Sequence, residues 1–194
     1  MIWLAALILG TASAQAVFAP FGIPLNINEA GLRAIGAEYD KEYDTWYVTR
    51  PPTPNDAFDL YAIRLSPTQG VCTVYAMGKT IKTGADGKAL RDAFQSVKSA
   101  LNSRYGVGRD YDFLHAESIW TGENYWMRSL EQDQRTLATF WNEGSKAQLP
   151  NGLAEIYLKA NASSSSQGFI TLYYRPPNWK PCLDSFKQNT GSGL

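Results

Sequence analysis

The chain has 194 residues, 18 Lys or Arg against 18 Asp or Glu, and 44% apolar residues. A net charge near zero argues against nucleic acid, which is held by neutralising phosphates with a basic face, and against a polybasic membrane-surface anchor. With one histidine and two cysteines, an ordinary zinc site or a Ser-His-Asp triad would have to rely on His115 alone, and no metal or cofactor is expected.

The chain opens on an apolar run, residues 2–9, followed by two small-x-small sites, Ala12-Ser13-Ala14 and Ala14-Gln15-Ala16. This is the layout of a secretory signal peptide, whose apolar segment spans about 7–15 residues where a membrane-spanning helix needs about 20. No Lys or Arg precedes the run. Residues 1–16 are therefore expected to be removed on export. That leaves a single domain over 17–187, a disordered tail over 188–194 and no membrane anchor, in the periplasm or outside the cell.

Asn26 and Glu29 have capping-box spacing, and Leu32, Ile35 and Gly36 complete a short helix. Residues 45–50, 58–66 and 71–77 read as strands separated by prolines and turns, the second apolar on both faces and so central. In the third, Cys72, Val74 and Ala76 alternate with Val71, Thr73, Tyr75 and Met77. A long helix is predicted over 87–105 with Asp86 as its cap, because Leu90, Phe94, Val97, Leu101 and Tyr105 recur on one stripe. A weaker helix covers 123–132. Three further strands, 136–141, 153–160 and 169–174, close the chain, the last two joined through the polar turn 163–168.

These elements predict an α+β domain: an antiparallel sheet of about six strands with two or three helices on one face. The order helix-then-three-strands recurs, with Tyr47-Val48-Thr49-Arg50-Pro51-Pro52 matched by Tyr173-Tyr174-Arg175-Pro176-Pro177, and this raises a duplicated unit as an alternative. Cys72 and Cys182 are expected to form a disulfide in an oxidising compartment.

Several chemical motifs fail on inspection. Gly78-Lys79-Thr80 lacks the earlier glycine of a phosphate loop, since position 73 is Thr73 and a strand precedes it. Gly106 and Gly108 are not followed by the third glycine of a dinucleotide fingerprint. His115 stands alone and is read as structural.

Two constellations remain. Glu38, Asp40, Glu42 and Asp44 would share one face if extended, as an acidic patch able to meet calcium or a basic partner; a solvated loop is the plainer reading. The second is the aromatic stretch from Tyr111 to Trp141. In it Trp126, Met127 and Leu130 are expected in the core, while Trp120, Tyr125 and Arg128 are the candidate binding residues.

The stretch from Tyr105-Gly106 through Ser118-Ile119-Trp120 and Trp126-Met127 to Trp141 resembles uncharacterised exported bacterial proteins. The helix-then-sheet order is similar to small periplasmic modules of the β-lactamase-inhibitor-like type. Neither likeness implies an activity. The expected function is an exported, non-enzymatic protein that binds an envelope protein or a cell-wall component. The alternatives are a glycan hydrolase using Glu117 or Glu123 as general acid, and a self-associating envelope protein.

Overall fold

The structure, a computed structural model, describes residues 17–191, with side chains as far as Phe186. The expected leader, 1–16, and the end of the expected tail, 192–194, lie outside the described residues. In chain order the elements are α1 (Glu29–Ala34), β1 (Glu38–Asp40), β2 (Thr45–Val48), β3 (Phe58–Ser66), β4 (Gly70–Gly78), β5 (Ile81–Lys82), α2 (Lys88–Tyr105), β6 (Arg109–Leu114), α3 (Trp126–Glu131), β7 (Arg135–Trp141), β8 (Glu155–Ser164), β9 (Gln167–Arg175) and α4 (Trp179–Gly191).

Among the described residues the strands form one nine-stranded antiparallel sheet, ordered β1-β2-β3-β4-β9-β8-β7-β6, with β5 alongside β9. The α+β class is as expected, but six strands was too few: β1, β5 and β6 are additional. A duplicated helix-plus-three-strand unit is not shown, since each long meander carries four strands.

Local chemistry fixes the helix ends. Asn28, not Asn26, caps α1, its side chain accepting from the Gly31 amide at 2.9 Å. At the start of α2 the Asp86 carboxylate accepts from the Lys88 amide at 3.1 Å. Gly87 takes φ +67, and any side chain there would run into the Trp126 ring. Leu90, Phe94, Leu101 and Tyr105 of α2 are buried, as are Trp126, Met127 and Leu130 of α3. They share one core with Ile156, Leu158 and Ala160 of β8 and Ile170, Leu172 and Tyr174 of β9. Leu32 of α1 joins the same core with Trp46, Val48 and Val74. This is the inner face of the sheet.

The alternation expected in β4 breaks at Cys72. The β3–β4 register shifts between Arg64 and Leu65, which pair with Thr73 and Val71. A bulge of this kind sets two residues against one and re-aims a side chain. Val71, Val74 and Ala76 stay in the inner core, while Cys72 joins Cys182 and Phe186 in a separate apolar cluster.

That cluster belongs to α4, which occupies the opposite, outer face. The Cys72–Cys182 disulfide is formed, with Cα atoms 5.4 Å apart. Arg64 lies 5.6 Å from the Phe186 ring, and Arg175 lies 4.3 Å from the Trp179 ring. Helices thus cover both faces, and α4 runs to Gly191. No helix among the described residues is long and apolar enough to cross a membrane.

Candidate binding face

On the outer face, one side chain from each of several strands falls on a common line. Register pairs Phe140 with Tyr157, Tyr157 with Tyr173, and Tyr173 with Tyr75. Their rings stack in succession, with centroids 4.4, 5.4 and 5.4 Å apart. Beyond Tyr75 the row passes over Ala62 to Tyr47, whose hydroxyl meets that of Tyr75. At the other end Tyr111 of β6 stands edge-on to Phe140 at 5.3 Å. Cross-strand aromatic pairs of this type contribute about 0.2–1 kcal/mol each. Burial raises the phenol of Tyr75 to about 12, and it holds Tyr157 and Tyr173 above their ordinary value as well.

A polar group anchors the middle of the row. Arg175 Nη1 donates to Glu155 Oε1 at 2.6 Å, and Asn142 donates to Glu155 Oε2 at 3.0 Å. The same guanidinium lies 5.2 Å from the Tyr157 ring, 5.0 Å from Tyr173 and 4.3 Å from Trp179. Arg175 Nε is buried without a hydrogen-bond partner. The α4 helix therefore rests on the row at its β3–β4–β9 side and leaves the β6–β7–β8 side open.

That open side is a hollow of about 440 Å³. It is bordered by Tyr111, Phe113, Thr136, Phe140 and Tyr157 and lies over Ala138, which is itself buried. Arg109 stands at one end, where a second hollow of about 420 Å³ begins between Val107 and the 143–146 loop. Phe113 is 47% exposed although it stacks on His115 at 5.3 Å. His115 also meets the Thr136 hydroxyl at 3.4 Å.

The residues singled out from sequence are distributed elsewhere. Trp120, Tyr125 and Arg128 do come together: the Trp120 and Tyr125 rings are 5.7 Å apart, and Arg128 lies 5.3 Å from Trp120. Arg128 belongs to α3, so this patch sits on the inner-face side. Trp126 and Trp141 are core, the latter donating to Asn102 Oδ1 and the Gly106 carbonyl.

Glu38 and Asp40 lie in β1, but the chain then turns through 41–44, so Glu42 and Asp44 do not extend their line. Asp40 instead accepts from the Glu42 and Tyr43 amides, and Asp44 accepts from the Tyr39 hydroxyl. No group of three or more His, Cys, Asp or Glu among the described residues is arranged to hold a metal ion. Glu117 and Glu123 are both exposed, without the burial that a glycosidase acid needs.

Sequence reading missed Tyr75, Glu155, Tyr157, Tyr173 and Arg175 as a group. The signal was the outward half of each strand's alternation, where Glu155, Tyr157 and Lys159 stand against Ile156 and Leu158. Comparison with protein-family models, with curated proteins and with solved structures finds no match.

Proposed function

We propose that this is an exported protein that binds a protein partner of the cell envelope through the outer face of its sheet. The observation that carries the reading is the aromatic row, continued past the edge of α4 into an open hollow with polar groups at its rim. Protein-binding surfaces favour such rigid rings with a nearby Arg. Export is supported by the apolar leader and by the disulfide, which fits an oxidising compartment.

The ring geometry favours a protein over a wall glycan. Phe140, Tyr157, Tyr173 and Tyr75 stack in succession with their faces turned to one another. A pyranose stacks on a free ring face, which this row does not offer. The test places a photo-crosslinking side chain at Phe113 or at Tyr125 and irradiates the exported chain in its envelope. These sites are equally exposed, 47% and 49%, so access does not bias the comparison. Adducts to a protein from position 113 support the reading; adducts from 125 alone move the surface to the Trp120 patch.

A further inference from the structure

Resting on that reading, we infer that the partner enters as an extended peptide segment that adds to β6 as a further antiparallel strand, with basic side chains opposite Asp110 and Asp112 and apolar or aromatic ones reaching over Tyr111 and Phe113 into the Ala138 hollow.

Among the described residues the main strand order ends on β1 and β6, and the two-residue β5 is paired on one side only. β1 is three residues long and ends in the Asp40 turn, the short, charged edge that resists pairing. β6 has six residues, enough for a strand-length ligand. Among the described residues, no backbone hydrogen bond of 109–114 is made outside its ladder with β7. The outward row of amides and carbonyls is therefore available for β-augmentation, in which main-chain bonds supply affinity and alternate side chains supply specificity.

Alternation supplies the second half. Arg109, Tyr111 and Phe113 border the outer-face hollow, so Asp110, Asp112 and Leu114 turn to the inner face. Asp110 and Asp112 are held by Lys98 and Arg135 on their sheet side, yet their side chains remain 52% and 55% exposed. A strand laid beside β6 would meet both carboxylates on one face and the aromatic hollow on the other.

The same two carboxylates disfavour a second copy of this chain. Symmetric antiparallel pairing that keeps the faces continuous and overlaps five of the six β6 residues is centred on Tyr111 or on Asp112. The first centre sets Asp110 against Asp112 twice, and the second sets Asp112 against itself. Like charges directly opposite are destabilising. A strand with Lys or Arg at those positions removes the conflict and adds attraction, so the occupant is a cationic, alternately apolar segment.

The probe is the blocked peptide acetyl-Lys-Phe-Lys-Tyr-Lys-Phe-amide, titrated into the oxidised chain while amide hydrogen exchange is followed by NMR. Saturable binding should slow the outward amides of β6 by about tenfold or more. Replacing Lys by Glu in the peptide, or methylating its alternate backbone nitrogens along one edge, should weaken binding by at least about tenfold. Phe113→Glu, on an exposed position that should fold normally, should weaken it as well. Binding that survives N-methylation and leaves β6 exchange unchanged would overturn strand addition while leaving the face intact as a binding surface. Slow β6 exchange without peptide, in a dimer seen by light scattering, would overturn it in favour of self-pairing. No binding of the Lys peptide would also overturn it, and crosslinking from position 113 then decides the face separately.

Discussion

Glu155 and Arg175 face each other across β8 and β9, 2.6 Å apart, with side chains only 11% and 15% exposed. The pair closes the middle of the aromatic row, because the same guanidinium packs on Tyr157, Tyr173 and Trp179. Removing one member leaves a largely desolvated charge. Arg175→Met should therefore cost about 3 kcal/mol, at the low end for a buried pair because some water reaches it. The double variant Glu155→Gln with Arg175→Met should regain much of that loss. Urea unfolding of the four members of the cycle checks both statements; an unchanged midpoint for Arg175→Met would show that the pair is inert.

The disulfide closes a loop of 110 residues. In the chain-entropy picture such a link stabilises by about 4–5 kcal/mol. Its local role is to hold α4, whose own apolar cluster consists of Cys72, Cys182 and Phe186 with Leu183 beside them. Replacing both cysteines by Ala should lower stability by about 4 kcal/mol and speed amide exchange in α4 before the rest of the sheet. Exchange that rises uniformly instead would mean that α4 is held by other contacts.

Alkaline titration should expose the buried rings. The Tyr75 phenol is raised from 10.0 to about 12, first by burial and then by the neighbouring Tyr47 hydroxyl. The folded chain thus keeps this proton more tightly than the unfolded chain. Its contribution is complete below about pH 10 and is lost as pH rises towards 12, so stability must fall in that window. Burial raises Tyr105, Tyr157, Tyr173 and Tyr174 too, adding to the same slope. Tyr75→Phe should flatten it; an identical slope in the variant would remove Tyr75 from the account.

Trp120 separates the two aromatic surfaces. It contacts Tyr125 and Arg128 beside α3, and truncation to Ala should cost about 1 kcal/mol through lost ring and cation–π contacts. Partner capture should not change. A variant that folds normally but loses the partner would return the binding site to the Trp120 patch.

Much of the strand order was legible because apolar runs bounded by prolines and polar turns mark strands, with alternation adding to the signal in β8. The 58–66 strand matches β3 at both ends, and five others were placed within a few residues. β1 and β5 escaped because three and two residues carry no period. β6 mixes polar and apolar residues on both faces, Arg109 with Tyr111 and Phe113 on one and Leu114 with Asp110 and Asp112 on the other, so no apolar face stands out. α4 was readable and overlooked: Trp179, Cys182, Leu183 and Phe186 follow helical i, i+3, i+4, i+7 spacing. The aromatic row was not readable as a unit, since its rings come from β4, β6, β7, β8 and β9. Only pairing register brings Tyr75, Tyr173 and Tyr157 side by side.

The outer face is tested most directly by photo-crosslinking from position 113, with and without Thr136→Phe, which places a ring at a half-buried position bordering the hollow. A protein adduct formed from position 113, and reduced severalfold by Thr136→Phe in a chain of unchanged thermal stability and circular dichroism, is the expected result. An adduct that forms only from position 125, or one from 113 that is indifferent to the filled hollow, would contradict it.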